Sequence, residues 1–232
     1  AFHGDPVFFF GEVLYAGQSV LAVAADSIDI AREAAHRAVV EYEVLPAILD
    51  VRESVRQQKY VGDPYVMQTG DAAAALQKSK NRLSGEFDIG GQDHFYLEGQ
   101  VALATPGENG EMHCWSSTQH PTEVQHLIAK VLGRSDHTVT VEVRRMGGGF
   151  GGKESQASLI ACIAALLADK TGRPVKYRLD RDDDMIMTGK RNPFENDFQV
   201  GFDSDGRILS LQVQLFSDGG AYADLSTSIM ER

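Results

Sequence analysis

The sequence has few cysteines and no long apolar run, and each absence excludes a class of protein. Cys114 and Cys162 are the only cysteines among 232 residues, so neither a disulfide framework nor a Cys-rich zinc or iron–sulfur site is expected. The longest uninterrupted apolar run, residues 159–168, is too short to cross a bilayer. Basic residues number 22 against 33 acidic ones, a formal net charge of −11, which excludes nucleic acid as an expected partner because phosphates need clustered Lys and Arg.

The amino-terminal sequence also lacks the features of a targeting segment. It begins AFHGDPVFFF, with no initiator Met and no basic stretch, and this predicts a piece of a longer chain rather than a signal peptide. Apolar residues make up 43% and charged residues 24%, the balance of a globular protein with a real core. The length allows one large domain or two small ones.

Residues 1–60 predict a small α+β unit. Gly17 lies between two apolar stretches and predicts a hairpin turn, and Asp26 and Ser27 are candidate N-caps for a helix over roughly 27–38. A strand is expected over 39–48. Residues 61–84 contain turn signals and a short helical stretch, and we expect this segment to be a linker between domains.

Residues 85–232 predict alternating strands and helices. Helices are expected from Pro121, a residue favoured at the first helical position, and over roughly 154–170. Asn109-Gly110 and residues 203–206 are predicted hairpin turns. The predicted strands of this region are 85–89, 95–104, 111–117, 138–144 and 174–179.

The strongest local signal is MGGGFGGKE at residues 146–154, which has five glycines in six positions. Glycines allow close backbone approach, and a loop between a strand and a helix lies at the positive end of the helix dipole, so we interpret it as a ligand-binding loop. Two familiar patterns fit poorly. A phosphate-binding P-loop needs Ser or Thr where Glu154 stands, and the acidic residue of a dinucleotide fingerprint is misplaced.

Three further segments have ordinary structural interpretations. SSTQHP, at residues 116–121, is compatible with a simple helix N-cap. In GGQDHFYLE, at residues 90–98, His94 and Glu98 would lie about 13 Å apart on a strand, too far to share a metal. DRDDD, at residues 180–184, lacks the glycine of a calcium loop and predicts a solvated turn.

Taken together, RRMGGGFGGKE, SSTQH and GGQDHFYLE resemble the molybdenum-binding subunit of the xanthine dehydrogenases, a group of molybdenum hydroxylases closely related to the aldehyde oxidases. GQSVLAVAAD, TGRPVKYRLDRDDDMIMTGKR and SIMER extend the resemblance to nearly the whole chain. The resemblance implies an α+β protein. On either side of the linker expected at 61–84, it implies an α/β-hammerhead domain at 1–60, partial at its amino terminus, and the first part of a molybdopterin-binding domain at 85–232.

The resemblance also assigns site residues. Gln119 would hydrogen-bond the terminal oxygen on molybdenum, and Phe150, with Gly149 and Gly151, would line the metal and turn backbone amides toward the cofactor. Glu154 would hydrogen-bond the substrate. Aldehyde oxidases usually carry an apolar residue at that position, so Glu154 favours a purine. No catalytic residue can be named in this chain, because the family's base glutamate is expected beyond Arg232.

The implied function is hydroxylation of a carbon of xanthine or hypoxanthine by a molybdenum–molybdopterin enzyme. Electrons would leave through [2Fe-2S] clusters to FAD in a partner chain or domain, within a cytoplasmic dimer of heterodimers that involves neither nucleic acid nor membrane. We expect the isolated chain to be inactive. Two alternatives remain: an aldehyde-oxidising member of the same family, or a non-catalytic fragment that holds no cofactor.

Overall fold

The structure, a computed structural model, describes residues 5–231. Residues 1–4 and Arg232, which the predicted domains 1–60 and 85–232 include, lie outside the described part. The chain forms a mixed α+β fold with two sheets and divides into two compact units. The first combines the described residues up to Val44 with Asp93–Lys190, and the second combines Leu45–Gln92 with the described residues from Arg191 onward. The boundaries predicted at 60 and 84 stay a prediction about family domains.

The first unit is built on a four-stranded sheet of order β4-β3-β2-β5. Its strands are β2 (Val101–Pro106), β3 (Met112–Ser116), β4 (Val139–Glu142) and β5 (Val175–Arg178). β3 and β4 run parallel, whereas β2 is antiparallel to both β3 and β5. The ends of β3, β4 and β5 therefore share one edge of the sheet with the start of β2. Four connecting segments leave or enter at this edge.

Two helices, α4 (Pro121–Leu132) and α5 (Gln156–Thr171), provide the other layer of the core. α4 begins at Pro121 as predicted and ends at Gly133, whose φ of +64° is the left-handed conformation that terminates helices. α5 buries most of its length, including Cys162. Both cysteines are free and buried, and burial raises the pKa of each thiol to about 12, so they serve as core residues.

The amino-terminal part of this unit corrects two predictions. Of the two predicted N-caps, Ser27 and not Asp26 caps α1 (Ile28–His36), and its hydroxyl accepts the Ile30 N–H. The chain also turns at Gly17, where φ is +96°, and the Gln18 N–H donates to the Tyr15 carbonyl at 3.3 Å. The described residues on either side of this turn do not form the predicted strands, and the Leu14 N–H donates to the side chain of Gln18 at 2.7 Å. The strand predicted over 39–48 is likewise not formed, since no described strand lies beside it to pair its backbone groups.

The second unit is a three-stranded antiparallel sheet of order β1-β6-β7. β1 spans Asn81–Ile89, β6 spans Phe194–Phe202 and β7 spans Ile208–Ser217, and the turn between the last two contains Gly206 as predicted. Its helices are α2 (Val51–Arg56), α3 (Ala72–Lys78) and α7 (Ser226–Met230). Within the described residues, no helix has the length and apolar character needed to cross a membrane.

The acidic segment after β5 is a helix and not the solvated turn that DRDDD predicts. α6 spans Arg181–Met187, and Asp184 inside it is only 2% exposed. The physical reason is hydrogen bonding. Asp184 accepts the Tyr96 hydroxyl at 2.5 Å and the Gln100 N–H at 2.7 Å, so its charge is satisfied inside the protein rather than by water.

Candidate active site

The three sequence motifs of the resemblance meet at one edge of the first unit's sheet. Segment 116–120 follows β3 and segment 143–155 follows β4. These two strands are parallel and adjacent, so both segments leave at the same edge. Segment 93–100 precedes β2, whose first residue pairs with Arg178 at the end of β5, and it therefore enters at that edge too. Topology thus explains why distant motifs become neighbours.

Segment 93–100 is a loop, which corrects the strand predicted from residue 95. Phe95 has a φ of +47°, and the Asp93 carboxylate accepts the Phe95 N–H at 2.6 Å. This local turn prevents a strand before Val101. The 13 Å separation argued for His94 and Glu98 therefore does not apply, although the described residues contain no cluster of three or more His, Cys, Asp or Glu suited to a metal.

The glycines of the loop at 147–152 have two separate physical roles. Gly148 and Gly151 adopt φ values of +97° and +95°, a region that costs other residues energy. Gly147, Gly149 and Gly152 instead make room for neighbours. An added Cβ would lie 2.5 Å from Glu98 Cβ, 2.5 Å from Gln119 Oε1 and 2.7 Å from Tyr96 Cε1 respectively. Three of the five glycines therefore accommodate the protein's own side chains, a reason that the sequence pattern alone did not give.

Gln119 is tied to the glycine loop through its side-chain carbonyl. Gln119 Oε1 accepts the N–H of Gly151 at 2.9 Å and the N–H of Lys153 at 3.2 Å. The Gln119 N–H in turn donates to the Lys153 carbonyl at 2.9 Å. With both lone pairs of Oε1 occupied, the Nε2 group is the end of this exposed amide that can donate to a ligand.

Lys153 is the residue on which the three motifs converge. Its side chain is 0% exposed, and its Nζ donates to Ser117 Oγ at 2.6 Å and to Glu98 Oε2 at 3.1 Å. The ammonium also lies 4.7 Å from the centre of the Tyr96 ring. Sequence analysis missed this residue because lysine is almost always exposed. Its position between a glycine loop and a helix is the one available signal.

The charges of this cluster shift each other's protonation. Burial lowers the pKa of Lys153, opposed by its hydrogen bond to Glu98. Burial also raises the pKa of Glu98, but the hydrogen bonds from Ser117, the Gly147 N–H and Lys153 outweigh it, so the net pKa is below its ordinary value. Both shifts are compatible with an ion pair whose carboxylate stays ionised.

Behind the lysine, Tyr96 and Gln100 connect the loop to α6. Gln100 Nε2 donates to the Gly152 carbonyl at 2.9 Å and to the Tyr96 hydroxyl at 3.0 Å. Burial, and then the neighbouring Asp184, raise the pKa of Tyr96 to about 12, so this hydroxyl remains a neutral donor. The network makes the back of the glycine loop a rigid support.

Of the predicted ligand-facing residues, Gln119, Phe150 and Glu154 are exposed, whereas Gly151 is half-buried and Gly149 is buried. Phe150 is 75% exposed at a φ of +54°, and Glu154 is exposed, with no described side-chain hydrogen bond. The sequence predicts a helix that begins at about residue 154. Glu154 instead precedes Ser155, the N-cap of α5, and therefore lies outside the first helical turn. Among the described residues, the N–H groups of residues 148–150 also have no partner. The N–H of Gly151, by contrast, is occupied by Gln119.

Comparison with known proteins identifies the family. Residues 53–232 match the molybdopterin cofactor-binding domain family. The whole chain is 45% identical to xanthine dehydrogenase/oxidase of Mus musculus, of which it covers 17%. It is 40% identical over 99% of its length to nicotinate hydroxylase of Emericella nidulans, again covering 17% of that protein. The chain thus spans about a sixth of these relatives.

Solved structures agree at the level of the fold. Quinoline 2-oxidoreductase from Pseudomonas putida 86 matches with a TM-score of 0.82 and 28% identity, over 94% of this chain and 29% of that one. Aldehyde oxidoreductase from Desulfovibrio gigas matches with a TM-score of 0.73 and 25% identity, over 87% of this chain and 23% of that one. The chain belongs to the molybdopterin cofactor-binding domain family.

Proposed function

We propose that the protein containing this chain hydroxylates a carbon of xanthine or hypoxanthine, and that the chain supplies one wall of the cofactor and substrate site. In this reaction a C–H bond is replaced by C–OH. The oxygen comes from water, and two electrons and two protons are released. The observation that carries the proposal is the Gln119 amide, whose carbonyl is fixed by Gly151 and Lys153 and whose Nε2 group remains free to donate.

The residues fit a molybdenum–molybdopterin cofactor, which presents oxygen acceptors to its surroundings. Gln119 Nε2 and the backbone N–H groups of residues 148–150 are donors with no described partner, and Phe150 offers an exposed ring beside them. These groups would hold and orient the cofactor. When bound, the cofactor supplies the two-electron redox chemistry, while the protein contributes orientation and electrostatics.

Glu154 is the residue that we assign to substrate recognition. Its exposed carboxylate can accept N–H hydrogen bonds from a purine. The similarity to xanthine dehydrogenase/oxidase supports this substrate. The similarities to nicotinate hydroxylase and to aldehyde oxidoreductase give equal support to the alternative, oxidation of another heteroaromatic compound or of an aldehyde. A fragment without cofactor is the third possibility.

The proposal extends to the parts of the assembly outside this chain. We infer that residues 1–60 belong to an α/β-hammerhead domain, and that a base glutamate follows Arg232. Electrons leave through [2Fe-2S] clusters and FAD of a partner chain or domain, in a cytoplasmic dimer of heterodimers. The relatives' greater length is compatible with this arrangement.

The test uses the full-length natural protein. We expect about one molybdenum atom per site and a higher kcat/KM for xanthine than for nicotinate or benzaldehyde. A preference for either of the latter would replace the purine assignment by the alternative. If the folded, purified protein contains no molybdenum, the result would support the third possibility, in which the fold is kept but holds no cofactor.

A further inference from the structure

We infer that Lys153 is a positioning residue that fixes the direction of the Gln119 amide and thereby sets which of its ends faces the cofactor. The inference rests on the proposed function for its consequence in catalysis. Its structural content, the orientation of Gln119, can be tested without any cofactor.

The backbone of Lys153 holds Gln119 from two sides. Its carbonyl accepts the Gln119 N–H at 2.9 Å, and its N–H donates to Gln119 Oε1 at 3.2 Å. The same carbonyl accepts the Thr118 hydroxyl at 3.1 Å. A rotated amide would place Nε2 against the N–H groups of Gly151 and Lys153, donor against donor, so these contacts select one of the two amide orientations.

The side chain of Lys153 anchors that backbone. Its Nζ donates to Ser117 Oγ, two residues before Gln119, and to Glu98 Oε2. The same Glu98 oxygen accepts the Gly147 N–H at 3.0 Å and the Ser117 hydroxyl. Both ends of the glycine loop and the strand end before Gln119 are therefore bound to one ion pair.

The choice of lysine is itself informative. An apolar side chain of similar length would fill the same volume without the cost of removing an ammonium from water, and buried ion pairs often contribute nothing to stability compared with apolar replacements. Here a fully buried Lys153 pairs with a partly exposed Glu98 and joins three segments. Because an apolar side chain could serve stability as well, the choice of lysine is best explained by the geometry that the ion pair imposes.

The test compares Lys153→Met with Lys130→Met in the full-length protein. Lys130 is an exposed lysine of α4 with no described ion pair, so the control makes the same change of charge and shape elsewhere. Because Glu98 is 38% exposed, water can solvate its carboxylate once Lys153 is gone. Hydrogen exchange of the amides at 151–153 should accelerate about tenfold in Lys153→Met and should not change in Lys130→Met.

Two further readouts use the loaded enzyme. The Mo(V) electron paramagnetic resonance signal should change in Lys153→Met. Turnover should fall about tenfold with Gln119 present but less than about twofold in the Gln119→Ala background, because the two residues act through one amide. Equal losses in both backgrounds would overturn the inference and show a merely structural lysine.

A gentler variant protects the test against misfolding. Ser117→Ala removes one acceptor of the Lys153 ammonium and keeps the charge pair, and it should accelerate the same amides to a smaller extent. If the amides at 151–153 exchange at the wild-type rate in a folded Lys153→Met or Ser117→Ala protein, the role of Lys153 is refuted. A wild-type protein that contains no molybdenum would instead refute the proposed function, while the exchange measurement would still decide the inference.

Discussion

At the scale of single residues, the two ends of the Gln119 side chain have different tasks. The carbonyl end is occupied by Gly151 and Lys153, whereas the Nε2 end has no described partner. Substitution by glutamate separates these tasks, because a carboxylate still accepts both backbone N–H groups but cannot donate. Replacement by alanine removes both at once.

Gln119→Glu should therefore keep the fold and lose turnover. The missing hydrogen bond to the cofactor is worth about 1.5–3 kcal/mol if it is charge-assisted, which corresponds to a decrease in kcat of roughly ten- to a hundredfold. Steady-state kinetics at constant molybdenum content measures the effect, with Gln214→Glu on the exposed surface of β7 as the control. Unchanged kcat would remove Gln119 from the site.

Glu154→Val tests the substrate assignment. A purine N–H left without an acceptor costs about 1–3 kcal/mol, so kcat/KM for xanthine should fall by roughly one to two powers of ten, while aldehydes should be tolerated better in the more apolar pocket. Since Glu154 lies outside the first turn of α5, thermal stability should hardly change. The ratio of kcat/KM for xanthine to that for benzaldehyde is the measurement.

Glu108→Val serves as the control, because Glu108 is an exposed carboxylate on the hairpin turn of the same unit. Its ratio should equal that of the wild type. If the ratio in Glu154→Val also equals the wild-type ratio, the purine assignment loses its main support.

At the scale of elements, helix ends were predictable and isolated strands were not. Ser27 and Pro121 act through local backbone geometry, so the starts of their helices could be predicted from neighbouring residues. The predicted strand at 39–48 depends on a partner that local sequence does not specify. α6 was missed because Asp184 is stabilised by Tyr96 and Gln100, more than 80 residues away in sequence.

Gly149→Ala should disturb the candidate site more than a glycine replacement elsewhere in the chain that lowers stability by a similar amount. The new Cβ would lie 2.5 Å from Gln119 Oε1, so the amide must move, at a cost of about 1–3 kcal/mol. Gly172→Ala is the matched control. It introduces a left-handed alanine at a φ of +64° with nothing within 4 Å, costing about 1–2 kcal/mol.

Both variants should have lower melting temperatures, but only Gly149→Ala should lose molybdenum. Metal analysis of the purified full-length proteins distinguishes them. Equal molybdenum content in the two variants would mean that the close contact between Gly149 and Gln119 does not matter for cofactor binding.

At the scale of the whole molecule, the ion pair at the sheet edge predicts a dependence of stability on pH. The pKa of Glu98 is lowered in the fold relative to its ordinary value of 4.5. Its contribution is therefore present above about pH 4.5 and is lost as pH falls through the lower folded pKa. The melting temperature of Glu98→Gln should decline less steeply below pH 4.5 than that of the wild type.

The prediction concerns the slope of melting temperature against pH and not the absolute melting temperature. Glu98→Gln also leaves Lys153 without its charge partner and therefore lowers stability at every pH. Glu108→Gln, on the exposed hairpin turn, should keep the wild-type slope. Parallel curves for the wild type and Glu98→Gln would contradict the shift.

The division into units is the part of the whole fold that sequence could not predict. Each unit joins two segments that are distant in sequence, and local sequence patterns do not show which distant segments pack together. The site is a similar case. Gln119, Phe150 and Glu154 were assigned by resemblance to a family, whereas Lys153 and Asp184 required the topology that brings four sheet-edge segments together.

The isolated 232-residue chain should not oxidise xanthine, even with added cofactor. Gln119, Phe150 and Glu154 are exposed, so a substrate here would be open to water on one side, and catalysis needs both orientation and exclusion of water. A positioned base alone contributes roughly 10²–10⁴-fold, and that base is proposed to lie beyond Arg232. The assay compares the chain with the full-length protein at equal molybdenum content, monitoring urate formation. Any urate formed by the chain with added cofactor would contradict this prediction and would mean that this one wall suffices, contrary to the proposed division of the site.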